Sequence, residues 1–184
     1  MEIVKTEFNQ KIIKSIGVVF IGSILLTLSA KFKIPFYPVP MTMQTFVVIF
    51  MGMAFGYKIG VATVSLYLIE GMIGLPVFSN SPERGVGLIY FTGPTMGYLI
   101  GFLFASFIAG YLINLSNNLF VIFVKLIFSV SFIYILGILW LGNIIGWDKP
   151  IIQLGVTPFL FAELFKILIL TLLSKKIFLL RKFI

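Results

Sequence analysis

The sequence contains neither cysteine nor histidine, and these two absences remove whole classes of chemistry. Without Cys there is no disulfide framework, thiolate nucleophile or Cys-based metal site. Without His the commonest general base and metal ligand is missing. Charge is scarce as well: Asp, Glu, Lys and Arg make up 11% of the chain, against about 25% in soluble domains. The phosphate-cradling pattern GxxxxGK[ST] does not occur, so any ATP hydrolysis has to be done by another protein.

Apolar side chains fill the space that charge leaves. The 184 residues are 60% hydrophobic, with a mean hydropathy of +1.13. A soluble globule of this size leaves too much surface exposed to hide such a composition, so the expected solvent is membrane lipid. The net charge of +8 is compatible with nucleic-acid binding, but the basic residues sit at the ends of hydrophobic runs, as membrane orientation requires. No nucleic-acid partner is expected. The polar start from Met1 to Lys14 and the lack of an A-x-A-like site after the first apolar run argue against a cleaved signal.

A membrane-spanning helix needs about 20 mostly apolar residues at 1.5 Å rise per residue. Divided at charges, prolines and glycines, the chain yields an all-α bundle of six transmembrane helices. They form a single transmembrane domain over 1–184, at about 15–30, 41–56, 59–75, 93–113, 119–141 and 157–174. The last opens at Thr157-Pro158, where Thr can cap and Pro fits the first turn. Six spans place both termini on one side. Lys5, Lys11, Lys14, Lys58, Lys125, Lys175, Lys176, Arg181 and Lys182 then flank that face, and Lys31, Lys33, Arg84 and Lys149 flank the other. The positive-inside rule makes the first face cytoplasmic, so both termini are expected inside.

Small residues recur every four positions at Gly93, Gly97, Gly101, Ala105 and Ala109, a stripe along which a neighbouring helix can approach closely. Packing within the monomer is the plainer use of it. Gly52, Gly56 and Gly60 share the spacing but cross a loop. In the first helix, Gly22, Ser23, Thr27 and Ala30 serve either internal packing or a docking face for a partner.

Three charged residues fall where hydrocarbon is expected: Glu70, Glu163 and Lys166. Charge inside a bilayer is costly and usually faces a cavity or a partner. Glu163 and Lys166 are three residues apart, so they share a helical face and are able to pair. Either they neutralise each other inside the bundle or they meet a ligand. Glu70 either joins neighbouring helices or contributes to the same site. Counting rise, Glu163 lies about 8 Å below the outer end of its helix, and Glu70 about 18 Å from the cytoplasmic side. Gln44 stands near the outer start of helix 2, and Tyr67 shares a face with Glu70. Polar groups from three helices thus reach similar depths, as a pocket open to the outside needs. The external segment Val77 to Thr92, with Asn80, Arg84 and Tyr90, is too long for a tight turn and is either a lid or a plain solvated connector. Lys31 and Lys149, at helix ends, read as solvated and dispensable for binding.

Arranged in this order, the residues resemble the BioY family, the biotin-binding S components of energy-coupling factor transporters. The similarity runs from Lys33 to Phe102. It includes Ile34-Pro35, Pro38-Val39-Pro40-Met41-Thr42-Met43-Gln44-Thr45, Leu66-Tyr67-Leu68, Gly71 through Phe78, and Gly93-Pro94-Thr95-Met96-Gly97-Tyr98-Leu99-Ile100-Gly101-Phe102. A second stretch is Thr157-Pro158-Phe159 with Glu163 and Lys166. The family usually has Asp where Glu163 stands, which keeps the acid and changes its reach by one methylene. Family members that dock to a coupling protein often carry Ala-x-x-x-Ala in helix 1; the nearest equivalent here is Ser23 to Thr27.

The resemblance implies biotin as the transported ligand, with no resident cofactor or metal. It also implies a prokaryotic inner-membrane location, and as partners a transmembrane coupling protein with two ATPase subunits. Biotin offers two ureido N–H donors, a ureido carbonyl, an apolar thioether ring and a carboxylate. Glu163 can accept from the N–H groups, and Lys166 or Arg84 can meet the ureido oxygen or the carboxylate. Gln44 and Asn80 both donate and accept; Tyr67 and Tyr90 offer apolar faces with polar tips. Glu70 completes the candidate set. Two other readings stand beside this one: a solitary biotin facilitator, and an intramembrane enzyme using paired acids, which the missing His, Cys and Ser-nucleophile motif disfavour.

Overall fold

A computed structural model describes residues 2–112 and 118–184, with side chains from residue 9 onward. The chain is helical almost throughout. Helix α1 spans Glu2–Lys31, α2 Gln44–Phe55, α3 Tyr57–Met72, α4 Met96–Leu112 and α5 Leu119–Ile145. A short α6, Ile151–Gly155, and a 3-10 turn, Thr157–Phe159, lead into α7, Leu160–Leu179. Strands β1, Lys33–Ile34, and β2, Met41–Thr42, pair antiparallel between α1 and α2, with Lys33 opposite Thr42. Among the described residues, three helical segments are long and apolar enough to cross a membrane, Asn9–Lys31, Leu119–Ile145 and Ile151–Phe183; Gln44–Phe55 and Met96–Leu112 are shorter apolar helices. Bulky apolar side chains cover the exterior, Phe161 being 87% and Leu172 70% exposed. That is the surface of a protein whose outer solvent is hydrocarbon.

Several boundaries differ from the hydropathy reading, for identifiable reasons. Helix α1 begins at Glu2 instead of about residue 15, because hydropathy marks the apolar run and not the polar helix formers before it. The second helix begins at Gln44 rather than Met41, since Met41 and Thr42 are spent in the hairpin. Gly93 and Pro94 precede α4 instead of opening it, and a 3-10 turn at Gly87–Thr92 occupies part of the expected loop. The expected end of that span at residue 113 lies outside the described residues, as does the side chain of Lys5. Thr157 caps nothing: its hydroxyl donates back to Ile152 O (3.3 Å). Where capping does occur, Asn118 Oδ1 accepts from Phe120 N (2.9 Å) at the start of α5.

Glycine decides how closely the helices sit. Gly56, with φ +82°, turns the chain between α2 and α3. A Cβ on Gly52 would strike the Ser106 carbonyl, and one on Gly60 would come within 2.9 Å of Gly52 Cα. The glycines flanking the α2–α3 turn therefore bring α2, α3 and α4 together backbone to backbone. Along α4, Gly97 abuts Leu136 and Trp140, and a Cβ on Gly101 would lie 2.5 Å from Ile133 Cα. Ala105 and Ala109 are fully buried. The small-residue stripe thus packs α4 within the molecule, chiefly on α5.

Candidate functional site

At the end of the bundle that carries the hairpin, a cavity opens between α2, α3, α4, α5 and α7, holding about 540 Å³ with its open mouth. The lining is mostly apolar or aromatic, including Phe78, Tyr98, Phe102, Tyr134 and Phe159, with Gln44, Thr45, Tyr67, Ser79, Tyr90 and Glu163 as polar points.

Glu163, in the first turn of α7, is 6% exposed, and Lys166, one turn on, is 5% exposed. Their spacing sets both on the face turned to α2, and Lys166 Nζ meets Glu163 Oε1 at 2.7 Å. The pair is embedded in a network. Thr45 Oγ1 donates to Glu163 Oε1 (2.8 Å), and Lys166 Nζ donates to Thr45 Oγ1 (3.0 Å) and Thr42 O (2.6 Å). All three ammonium hydrogens therefore have acceptors. A buried ion pair is tolerable only when its remaining hydrogen-bonding capacity is met, and here Thr42 and Thr45 meet it. Only Glu163 of the two lines the cavity, and Lys166 braces it from behind.

A second polar group comes from α2 and α3. Gln44 Nε2 donates to Tyr67 OH (2.7 Å), whose hydroxyl donates to Val77 O (3.3 Å). Tyr67 is fully buried. Phe78 packs edge-on to Tyr67 at 5.3 Å and stacks on Tyr90 at 4.5 Å, a separation typical of favourable aromatic pairs. Its ring lies directly on Gly71, where any Cβ would overlap it.

Of the eight ligand candidates taken from sequence, Gln44, Tyr67, Tyr90 and Glu163 line the cavity, and Lys166 supports it from one layer out. The other three lie elsewhere. Glu70 is half-buried between α3 and α1, accepting from Ser23 Oγ (2.9 Å). Asn80 accepts from Lys33 Nζ (3.1 Å), and Arg84 is exposed, donating to Pro38 O (2.9 Å) above the Tyr37 ring. The expectation that Tyr67 and Glu70 share a face is not met: three residues apart on α3, Tyr67 turns into the cavity and Glu70 toward Ser23 on α1. The candidate docking residues Gly22, Ser23 and Ala30 are buried inside the molecule, with a Cβ on Gly22 set to meet Met51 and Thr63 at 2.6 Å. Thr27 is half-buried, bonded to Ser23 O (3.0 Å). The outward face of α1 consists of Ile16, Phe20, Ile24 and Leu28 instead. Sequence reading missed Thr45, Phe78, Tyr98, Tyr134 and Phe159. Tyr98 and Tyr134 carried a usable signal, since a hydroxyl within an apolar span needs a polar partner or a cavity.

An apolar-coated helical bundle with an aromatic-lined cavity at one end and, among the described residues, one buried acid facing into it has the form of a membrane protein for a small molecule. The sequence profile of the BioY family matches residues 4–182, and the chain belongs to that family. It is 34% identical over 153 residues to a protein of Pyrococcus horikoshii named a probable biotin transporter BioY, covering 83% of this chain and 89% of that one. The biotin transporter BioY of Thermotoga maritima is 31% identical over the same shares. A crystal structure of the S-component for biotin from an ECF-type ABC transporter superposes with a TM-score of 0.75 at 25% identity, covering 91% of this chain and 92% of that one.

Proposed function

We propose that this protein captures biotin in the cavity at the hairpin end and serves its uptake across the cell membrane. It does so as the substrate-specific subunit of an ATP-driven transporter, not as an enzyme. The observation that carries the reading is the Thr45–Glu163–Lys166 network at the wall of an otherwise aromatic cavity. A carboxylate paired with a buried lysine is a strong acceptor for a pair of N–H donors, which the ureido ring supplies. The rings of Phe78, Tyr98, Tyr134 and Phe159 suit the thioether ring, and Gln44, Ser79 and Tyr90 remain for the ureido oxygen or the carboxylate.

Six membrane spans, formed by α1 to α5 and α7, with both termini inside, place the cavity on the outer side. The distribution of basic residues supports this orientation. Lipid surrounds the bundle, and the energy comes from a transmembrane coupling protein with two ATPase subunits, because the chain has no nucleotide-binding loop of its own. The docking of those partners is assigned to α1. With Gly22, Ser23 and Ala30 turned inward, the contact falls to its outward apolar face.

Purified in detergent and titrated with a panel of vitamins, the protein is expected to bind biotin one to one. At a biotin concentration of 100 Kd, binding should stabilise the fold by about 2.7 kcal/mol. Equal stabilisation by unrelated vitamins, or none by biotin, defeats the assignment.

A further inference from the structure

The loop from α3 to α4 is fastened from outside by two lysines. Lys31 Nζ, at the end of α1, donates to three loop carbonyls: Pro76 O (2.7 Å), Phe78 O (2.9 Å) and Ser81 O (3.0 Å). Lys33 Nζ, on β1, donates to Ser79 O (2.7 Å) and Asn80 Oδ1 (3.1 Å). An ammonium group has three N–H donors; Lys31 uses all of them on one loop.

The fastened segment is the one that supplies Phe78 and Ser79 to the cavity. Phe78 anchors it inward, wedged on Gly71 among Tyr67, Tyr90 and Phe91. Its own carbonyl points the other way, to Lys31. Lys33 also stands opposite Thr42 in the hairpin, and Thr42 O accepts from Lys166. One connected set of bonds therefore runs from the α3–α4 loop through the hairpin to the Glu163 network, bracketing the cavity on two sides.

We propose that Lys31 and Lys33 are positioning residues of the ligand site, gathering the backbone of residues 76–81 so that Phe78 and Ser79 form a fixed wall. The proposal deepens the biotin reading and rests on it for its ligand. Neither lysine lines the cavity, so both act through the loop. Carbonyls that are left without a cation retain the option of water, which gives the loop more than one arrangement and a ligand a less complete wall.

The test uses the absence of native cysteine. Ser81 is 3% exposed and does not line the cavity, so Ser81→Cys reports the loop itself to an impermeant thiol reagent. In the ligand-free protein, Lys31→Met with Lys33→Met is expected to speed labelling about tenfold or more, with an unchanged melting temperature. In the Ser81 background, the same pair should weaken biotin binding about tenfold, mainly through faster release. Unchanged labelling overturns the clamp. Faster labelling with native affinity overturns the link to the site. Should the double variant fail to fold, Lys33→Met alone, which removes two of the five bonds, is read against the same criteria. The labelling arm needs no ligand, so a protein that binds no biotin at all defeats the functional reading while this arm still decides the clamp.

Discussion

The two ends of the bundle are held together by different means. At the hairpin end polar side chains bridge α2 to its neighbours: Gln44 to Tyr67, Thr45 to Glu163, Lys166 to Thr42. At the opposite end α2, α3 and α4 meet more directly. Gly52, Gly60 and Gly110 bring backbones into direct contact, Gly110 against Tyr57. Arg181 then closes the end, donating to Met53 O (2.8 Å) and Gly110 O (3.2 Å). These are carbonyls of the last turns of α2 and α4, groups a helix cannot satisfy by itself. Side-chain bridges can be exchanged for bonds to a ligand, whereas direct backbone contact leaves no volume between the helices that make it. On the proposed reading, the fold divides into an adaptable half that takes the ligand and a more rigid half that holds α2, α3 and α4 in place.

The division is tested most severely at the bridged end. Glu163→Gln leaves Lys166 buried without its counter-charge and is expected to destabilise the fold by about 3–5 kcal/mol. Adding Lys166→Met removes the orphaned charge, so the double variant should recover a monodisperse detergent profile. Its biotin affinity should nevertheless stay about 10- to 150-fold below native, the value of about 1.5–3 kcal/mol for a hydrogen bond to a charged group. A well-folded double variant with native affinity makes the pair purely structural and moves recognition to Gln44, Tyr67 and the loop.

The rigid end should respond in the opposite sense. Gly52→Val drives a side chain at the Ser106 carbonyl, and overpacking of this kind costs about 1–3 kcal/mol or more. Thermal stability should fall, while the fraction that remains folded binds biotin with native affinity. If affinity falls while the melting temperature holds, the two halves are coupled and the comparison fails.

Much of this division was legible in the residues themselves. Hydropathy located the helices, and the spacing of Glu163 and Lys166 gave their shared face. The glycines gave the close approaches, although Gly52 and Gly60 looked weak because their contact crosses a turn. What the chain could not display was azimuth and long-range pairing. Glu70 and Tyr67, three residues apart on α3, read as one face, yet one turns to Ser23 on α1 and the other into the cavity. Thr45 needed the fold to meet Glu163, 118 positions away. The hairpin was hidden because its strands are two residues each, too short for any alternation to show.

Lys31 and Lys149 sharpen the comparison most finely, because by sequence they are the same kind of residue: a basic side chain at a helix end, expected to be dispensable. The fold separates them. Lys31 converges on three carbonyls of the cavity-wall loop. Lys149 pairs only locally, with the adjacent Asp148 at 3.3 Å, both side chains more than half exposed. An exposed pair of this type contributes about 0–1 kcal/mol, and its loss is made good by water. Lys149→Ala should therefore leave biotin affinity within about fivefold of native, since fivefold corresponds to roughly 1 kcal/mol, and the melting temperature should scarcely move. Titration of that variant beside Lys31→Met separates the two roles within one experiment. A large loss at Lys149 would draw the α5–α6 turn into the site, against its position outside the residues lining the cavity.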